Sequence, residues 1–173
     1  MKTIIINDNN INEKNIDYSV TRVKAIILNS ENNVIMAHNN NTFQLPGGHV
    51  EQEDLKEALR REISEECGIS NIKIDEPFLN IITYDNDYFG SSKKVLNKIY
   101  YFAVYTDEVP DFKKTRYDLL ESKTPFKLYY VDMNRIKTFI EEETRKNNIE
   151  EAISRELILA IDVYNSIKED EII

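Results

Sequence analysis

Glycine and proline are scarce, with four of each in 173 residues, where ordinary usage would supply roughly a dozen glycines. Nineteen asparagines imply that many turns are built with Asn instead, so the places where glycine is kept are informative. A single cysteine, Cys67, excludes an intrachain disulfide and a multi-cysteine zinc site. No apolar run approaches the ~20 residues a membrane helix needs. The start, Ile4 to Ile6 followed by Asp8, lacks the basic region and apolar core expected of a signal peptide. Basic residues are also outnumbered, 22 against 31 acidic, for a net charge of −9 and a pI near 4.8. That balance argues against binding nucleic-acid duplexes, although a small anionic substrate can bind an acidic protein through a divalent cation. The remaining composition, 41% hydrophobic and 31% charged, fits a folded chain with a proper core, expected in the cytoplasm.

What is present orders into alternating elements. Residues 1–17 turn polar and Asn-rich after Ile6 and read as a lead-in, with one domain over 18–173. Val20 to Leu28 is a β-branched strand, Ser30 to Asn33 a turn and Val34 to Ala37 a returning strand. Phe43 to Val50 leads through Pro46-Gly47-Gly48 into a helix over about 54–67. Ile72 to Tyr84 and Val95 to Tyr105 read as strands around Gly90, and residues 107–125 as irregular chain. Phe126 to Val131 is strand-like, and Asp132 is a helix N-cap. A last helix over about 148–167 carries Ile149, Ala152, Ile153, Leu157, Ala160, Ile161 and Tyr164 on one stripe, packed core or a dimer surface. The pattern predicts an α/β fold with a mixed sheet.

The helix over 54–67 contains a conflict. Asp54 and Glu57 supply a capping box variant, Gly68 a natural C′ residue, and Leu55, Ala58, Leu59, Ile63 and Cys67 a buried stripe. Cys67 therefore reads as packing. Glu62, Glu65 and Glu66, however, share one face at i, i+3 and i+4, where like charges cost roughly 0.2–0.5 kcal/mol per pair. Two of them sit in the last turn, against the helix dipole. A hard divalent cation resolves this, since Mg²⁺ takes carboxylate oxygens and shares its shell with substrate phosphates. A solvated acidic face would be the plain alternative. The adjoining Gly47 and Gly48 favour the cation, because two glycines let backbone approach a ligand closely.

From Gly47, five residues lead to Glu53 and seven more to Arg61-Glu62-Ile63-Ser64-Glu65-Glu66-Cys67-Gly68-Ile69. This fills every specified position of the Nudix box, G-x5-E-x7-R-E-U-x-E-E-x-G-U, and the chain resembles Nudix hydrolases over about residues 18–145. The count runs from Gly47; from Gly48 the loop to Glu53 is one residue short. The resemblance implies an α/β/α sandwich with a C-terminal helix. It also implies hydrolysis of a nucleoside diphosphate linked to another moiety, with Mg²⁺ or Mn²⁺. Carried over by position, Glu62, Glu65 and Glu66 are metal ligands with a carbonyl of Gly47 or Gly48. Glu62 doubles as general base oriented by Arg61, and Glu53 stabilises the loop–helix geometry or binds a further cation. A base from the downstream loop is the other option, with Asp111, Asp118 and Glu121 as candidates. The alternative function is a non-enzymatic Nudix-fold nucleotide sensor controlling a partner, against which the intact carboxylate run speaks.

Substrate markers are sparse. Tyr84, Tyr88 and Phe89 beside Gly90 could stack on a nucleobase, or simply pack a hairpin. The ADP-ribose pyrophosphatase type resembles this chain less, because Pro77 lies too close to the box to be its downstream proline. Tyr84 falls near the tyrosine of the diadenosine polyphosphate type. His49, next to Gly48, could touch substrate or a carboxylate.

Overall fold

The long strand expected from Val20 organises the sheet. The structure, a computed structural model, describes residues 1–39, 42–116, 126–147 and 151–171. Its elements are β1 (Lys2–Ile6), β2 (Tyr18–Leu28), β3 (Asn33–Asn39), β4 (Thr42–Gln44), β5 (Gly47–His49), α1 (Leu55–Cys67), β6 (Leu79–Asp85), β7 (Val95–Tyr105), β8 (Lys127–Asp132), α2 (Ile136–Asn147) and α3 (Glu151–Glu171). Strand order is β1-β6-β7-β2-β3-β4, with β5 paired to β2 and β8 to β3. β2 runs parallel to β7 over its whole length, Tyr18 opposite Val95 through Leu28 opposite Tyr105. β6 and β7 are antiparallel, so the sheet is mixed.

Alternation along β2 divides the core. Val23, Ala25 and Ile27 join Ala58, Leu59, Ile63 and Cys67 of α1 in one buried cluster. Ile26 and Leu28 join Ile136 and Ile140 of α2 and Leu157, Ala160 and Ile161 of α3 in the other. Two helical layers thus cover the two faces, giving the α/β/α sandwich with its C-terminal helix. Of the apolar stripe of α3, Leu157, Ala160, Ile161 and Tyr164 are core, Ala152 is exposed, and Ile149 lies outside the described residues. Tyr101 and Phe102, consecutive in β7, are both fully buried in opposite clusters.

Two expectations are corrected. The lead-in is not all outside the sheet: Lys2–Ile6 forms β1, parallel to β6 with Lys2 opposite Leu79. The strand expected from Ile72 begins only at Leu79, because Pro77 has no N–H for a ladder; main-chain pairing starts at Phe78, whose N–H donates to the Tyr101 carbonyl at 2.9 Å. Ile72 and Ile74 are nonetheless buried beside α1. Asparagine does replace glycine in the β2–β3 turn: Asn32 sits at φ +61, and the Asn29 side chain accepts from the amides of Glu31 and Asn33.

The ends of α1 follow the local signals. Asp54 accepts from the amides of Lys56 and Glu57. Gly68 closes the helix at φ +66, its N–H on the Ser64 carbonyl. A Cβ on Gly68 would lie 2.9 Å from the carbonyl carbon of Asp111, whose amide in turn caps the Cys67 carbonyl at 3.0 Å. Gly90 has a similar φ of +70 but open space around it. Gly68→Ala should therefore cost more than the about 1–3 kcal/mol of left-handed strain alone, and Gly90→Ala no more than that strain. Urea unfolding of the two variants checks this; equal costs would mean that the Asp111 contact contributes nothing.

Candidate active site

β5 is laced to β2, with Gly47 opposite Lys24, Gly48 opposite Val23 and His49 opposite Arg22. On its other side it meets α1. Gly47 has φ +144, and a Cβ there would come within 2.8 Å of Lys24 Cα. A Cβ on Gly48 would sit 2.6 Å from Glu62 Oε2. Gly47 is thus held against β2 backbone where no side chain fits, whereas a side chain at Gly48 would have to push the Glu62 carboxylate aside.

The carboxylates of α1 arrive at this contact at graded depth. Glu66 is 2% exposed and accepts the Gly47 N–H at 2.8 Å. Glu62 and Glu65 share Arg61, whose Nη1 donates to Glu62 Oε1 at 2.8 Å and to Glu65 Oε2 at 3.1 Å. The rest of the guanidinium faces the loop: Nη2 donates to Glu53 Oε1 at 2.7 Å and to the His49 carbonyl at 2.8 Å, and Nε donates to Glu53 Oε1 at 3.2 Å. The short loop between Gly48 and Glu53 thus still delivers Glu53 to Arg61.

Electrostatics follow from these contacts. The Arg61 hydrogen bond holds the Glu53 carboxyl down at about 2, against 4.5 ordinarily, with desolvation a smaller opposing effect. Burial works against the Arg61 cation, yet its hydrogen bonds and charge interactions with Glu53, Glu62 and Glu65 outweigh it and raise its pKa. Burial, then the charges of Arg22 and Arg61, hold His49 below its usual range. Burial and the adjacent Glu66 push the Cys67 thiol far up, so it is packing and not a nucleophile.

The predicted site residues are therefore brought together in part. Glu53, Arg61, Glu62, Glu65, Glu66, Gly47 and Gly48 form one contiguous cluster. Among the described residues, however, no group of three acidic, histidine or cysteine side chains converges tightly enough to hold a metal ion as it stands. Glu62 and Glu65 bond Arg61, and Glu66 bonds Gly47, instead of meeting at one point. The donor chemistry still fits a hard divalent cation: three carboxylates within two turns of one helix, near its negative end, against a glycine backbone.

The aromatic candidates separate. Tyr88 reaches the cluster's rim, where its hydroxyl pairs with Arg22, and Arg22 donates to His49 Nε2 at 3.3 Å. The Arg22 guanidinium lies 5.7 Å from the Tyr88 ring centre. Tyr84 does not join them: its register places it on the sheet face opposite Arg22, with its hydroxyl on Glu13 at 3.0 Å. Asp111 is occupied at the end of α1, its carboxylate on the Lys113 amide and near Lys114. The Phe89 side chain, Asp118 and Glu121 lie outside the described residues. The residue that sequence reasoning missed is Arg22. Its signal was a pair of cations two apart, Arg22 and Lys24, on one face of an otherwise apolar strand. Lys24 is also paired, on Glu156 of α3 at 2.7 Å, and Glu156 accepts the Tyr101 hydroxyl.

The family model described as the NUDIX domain matches residues 19–130. Solved structures with related folds include the MutT protein of Methanosarcina mazei Go1, 19% identical, with a TM-score of 0.54 over 85% of this chain and 95% of that one. A NUDIX hydrolase from Nitrosomonas europaea is 17% identical, with a TM-score of 0.53 over 85% and 88%. The dihydroneopterin triphosphate pyrophosphohydrolase of E. coli is 13% identical, with a TM-score of 0.52 over 68% and 84%. No curated protein matches the chain in sequence. At these identities the likenesses concern the fold.

The Glu53–Arg61 pair makes a pH-dependent contribution of known sign. With the folded carboxyl at about 2 and the ordinary value at 4.5, the contribution is complete above the upper value and is lost as pH falls through the lower. The melting-temperature difference between wild type and Glu53→Gln should be constant above the upper value and shrink steadily towards about pH 2. A difference that does not change across that window would refute the pairing.

Proposed function

The chain belongs to the NUDIX-domain family, and on that premise we propose that it is a divalent-metal-dependent pyrophosphohydrolase. Its substrate would be a nucleoside diphosphate linked to another moiety. The observation that carries this reading is the cluster in which Glu66 accepts the Gly47 N–H while Arg61 gathers Glu62 and Glu65 beside it. The acidic face alone would repel a pyrophosphate, so a cation must come between.

Glu62, Glu65 and Glu66 would hold Mg²⁺ or Mn²⁺, with a carbonyl of Gly47 or Gly48. When bound, the cation supplies charge neutralisation for the pyrophosphate and a lowered pKa for its water. The two sides of Arg61 have different duties in this scheme. Nε and Nη2 stay anchored on Glu53 and the His49 carbonyl. Nη1 can release Glu62 and Glu65 to other partners without the side chain losing its place. Glu62 then takes the proton of the attacking water. Water attacks one phosphorus in line, the P–O–P bridge breaks, and two phosphorylated products leave; positioning and charge stabilisation do most of the work. Arg22, bracketed by His49 and Tyr88, supports a phosphate or nucleoside contact at the rim. The balance of −9 with one buried cysteine supports a cytoplasmic setting, and no described helix is long and apolar enough to cross a membrane.

The test is a panel of nucleotides and nucleotide conjugates with Mg²⁺ or Mn²⁺, read by released phosphate and product mass. At least one member should be hydrolysed, with chelation abolishing turnover. Glu65→Gln/Glu66→Gln should lower kcat by about 10²-fold or more, the loss of several kcal/mol of charge stabilisation. No turnover across the panel, with nucleotide binding retained, would instead leave a nucleotide-binding sensor.

A further inference from the structure

We propose that the free edge of β1 is where two copies of this chain associate, the sheet continuing across a twofold axis into the second copy. β1 is the terminal strand of the sheet. Its inner edge is paired with β6, and its outer edge pairs with no strand among the described residues. The phase of the strand is fixed by the Lys2 N–H, which donates to the Phe78 carbonyl at 2.9 Å. Lys2, Ile4 and Ile6 therefore turn their main-chain groups inward, and Thr3 and Ile5 turn theirs outward.

Exposed edges are usually blunted by lysine, proline, a bulge or a covering loop. From Thr3 to Ile6 there is no charge and no proline, and Ile5 is 63% exposed. Beside the strand runs a groove of about 570 Å³ between β1 and α3, with Ile4, Ile6, Ile158 and Leu159 in its walls. Among the described residues, its charged lining is one cation, Arg155, and one anion, Asp162.

The occupant is a second copy because the edge is complementary to itself. With Ile4 on the axis, the outward groups of Thr3 face those of Ile5 in the second copy, and the reverse, closing four main-chain hydrogen bonds. Each Lys2 then lies beside Ile6 of the other copy, within diagonal side-chain reach of Asp8, the carboxylate that Arg155 already holds at 2.7 Å. The second copy's apolar strand residues on this face are directed at the groove, the mode of an added β-strand. A chain of net charge −9 resists self-association over most of its surface, whereas this strip carries balanced charge.

Sedimentation velocity of the full chain over a wide concentration range tests the proposal. Wild type should sediment as a dimer. Ile5→Pro places its ring at an outward N–H and leaves every β1–β6 bond intact, so it should sediment at half that mass with an unchanged far-UV spectrum. Thr3→Pro does the same from the neighbouring outward position, should the first variant fail to fold. Ile4→Cys should form a disulfide-linked dimer on mild oxidation, because directly opposed residues without mutual hydrogen bonds approach to about 4.5 Å between Cα atoms; Cys67 is fully buried. A monomeric wild type, a dimer that survives folded proline variants, or the absence of the Ile4→Cys crosslink would overturn it.

Discussion

The site depends on how closely a strand can press against the acidic end of a helix. β5 lies between β2 and α1, with Gly47 pressed against the Lys24 and Val23 backbone and Gly48 against the Glu62 carboxylate. That contact turns three like charges from a liability of an isolated helix into a shaped acidic surface. It also brings the Gly47 N–H to the most buried of the carboxylates, Glu66. A buried carboxylate without such a donor would carry a heavy desolvation cost. The same glycines that permit the approach therefore supply part of what stabilises it.

Arg61 distributes the remaining charge. One guanidinium bonds Glu53, Glu62, Glu65 and the His49 carbonyl, tying loop, strand and helix together through a single planar group. Its Nε and Nη2 face the loop, on Glu53 and the His49 carbonyl, and its Nη1 faces the helix, on Glu62 and Glu65. The C-terminal end of α1 is held independently, by the strand of chain around Asp111 that packs on Gly68, and by the Arg116 amide on the Glu65 carbonyl at 2.9 Å. The C-terminal end of the acidic run is thus fixed by backbone contacts, whereas Glu62 is held through its side chain.

Much of this was legible in the residues because it is local. The Asp54 cap, the Gly68 stop, the Asn32 turn and the Glu62–Glu65–Glu66 face all follow from short-range rules, and the box spacing identified the family. What was hidden is non-local. β1 pairs with a strand 77 positions further along, Lys2 with Leu79, and nothing within residues 1–17 announces that partner. Tyr84 and Tyr88 look equivalent in sequence, but strand alternation sends Tyr84 to the other face. The His49 carbonyl contact of Arg61 is a backbone interaction with no residue signature. The carboxylates share a face as their spacing implies, yet hydrogen bonds to Arg61 and Gly47 keep them from one common point, which spacing does not reveal.

Gly48→Ala probes whether the close approach of Gly48 to Glu62 sets up the proposed reactive end of α1. A methyl group there intrudes on the Glu62 carboxylate, and a displacement of ~1 Å at a reacting group can cost about 10²-fold in rate. The Gly48→Ala protein should fold with the wild-type far-UV spectrum while its Mg²⁺- or Mn²⁺-dependent kcat/KM falls by about that factor. A folded Gly48→Ala protein with wild-type kcat/KM would contradict it.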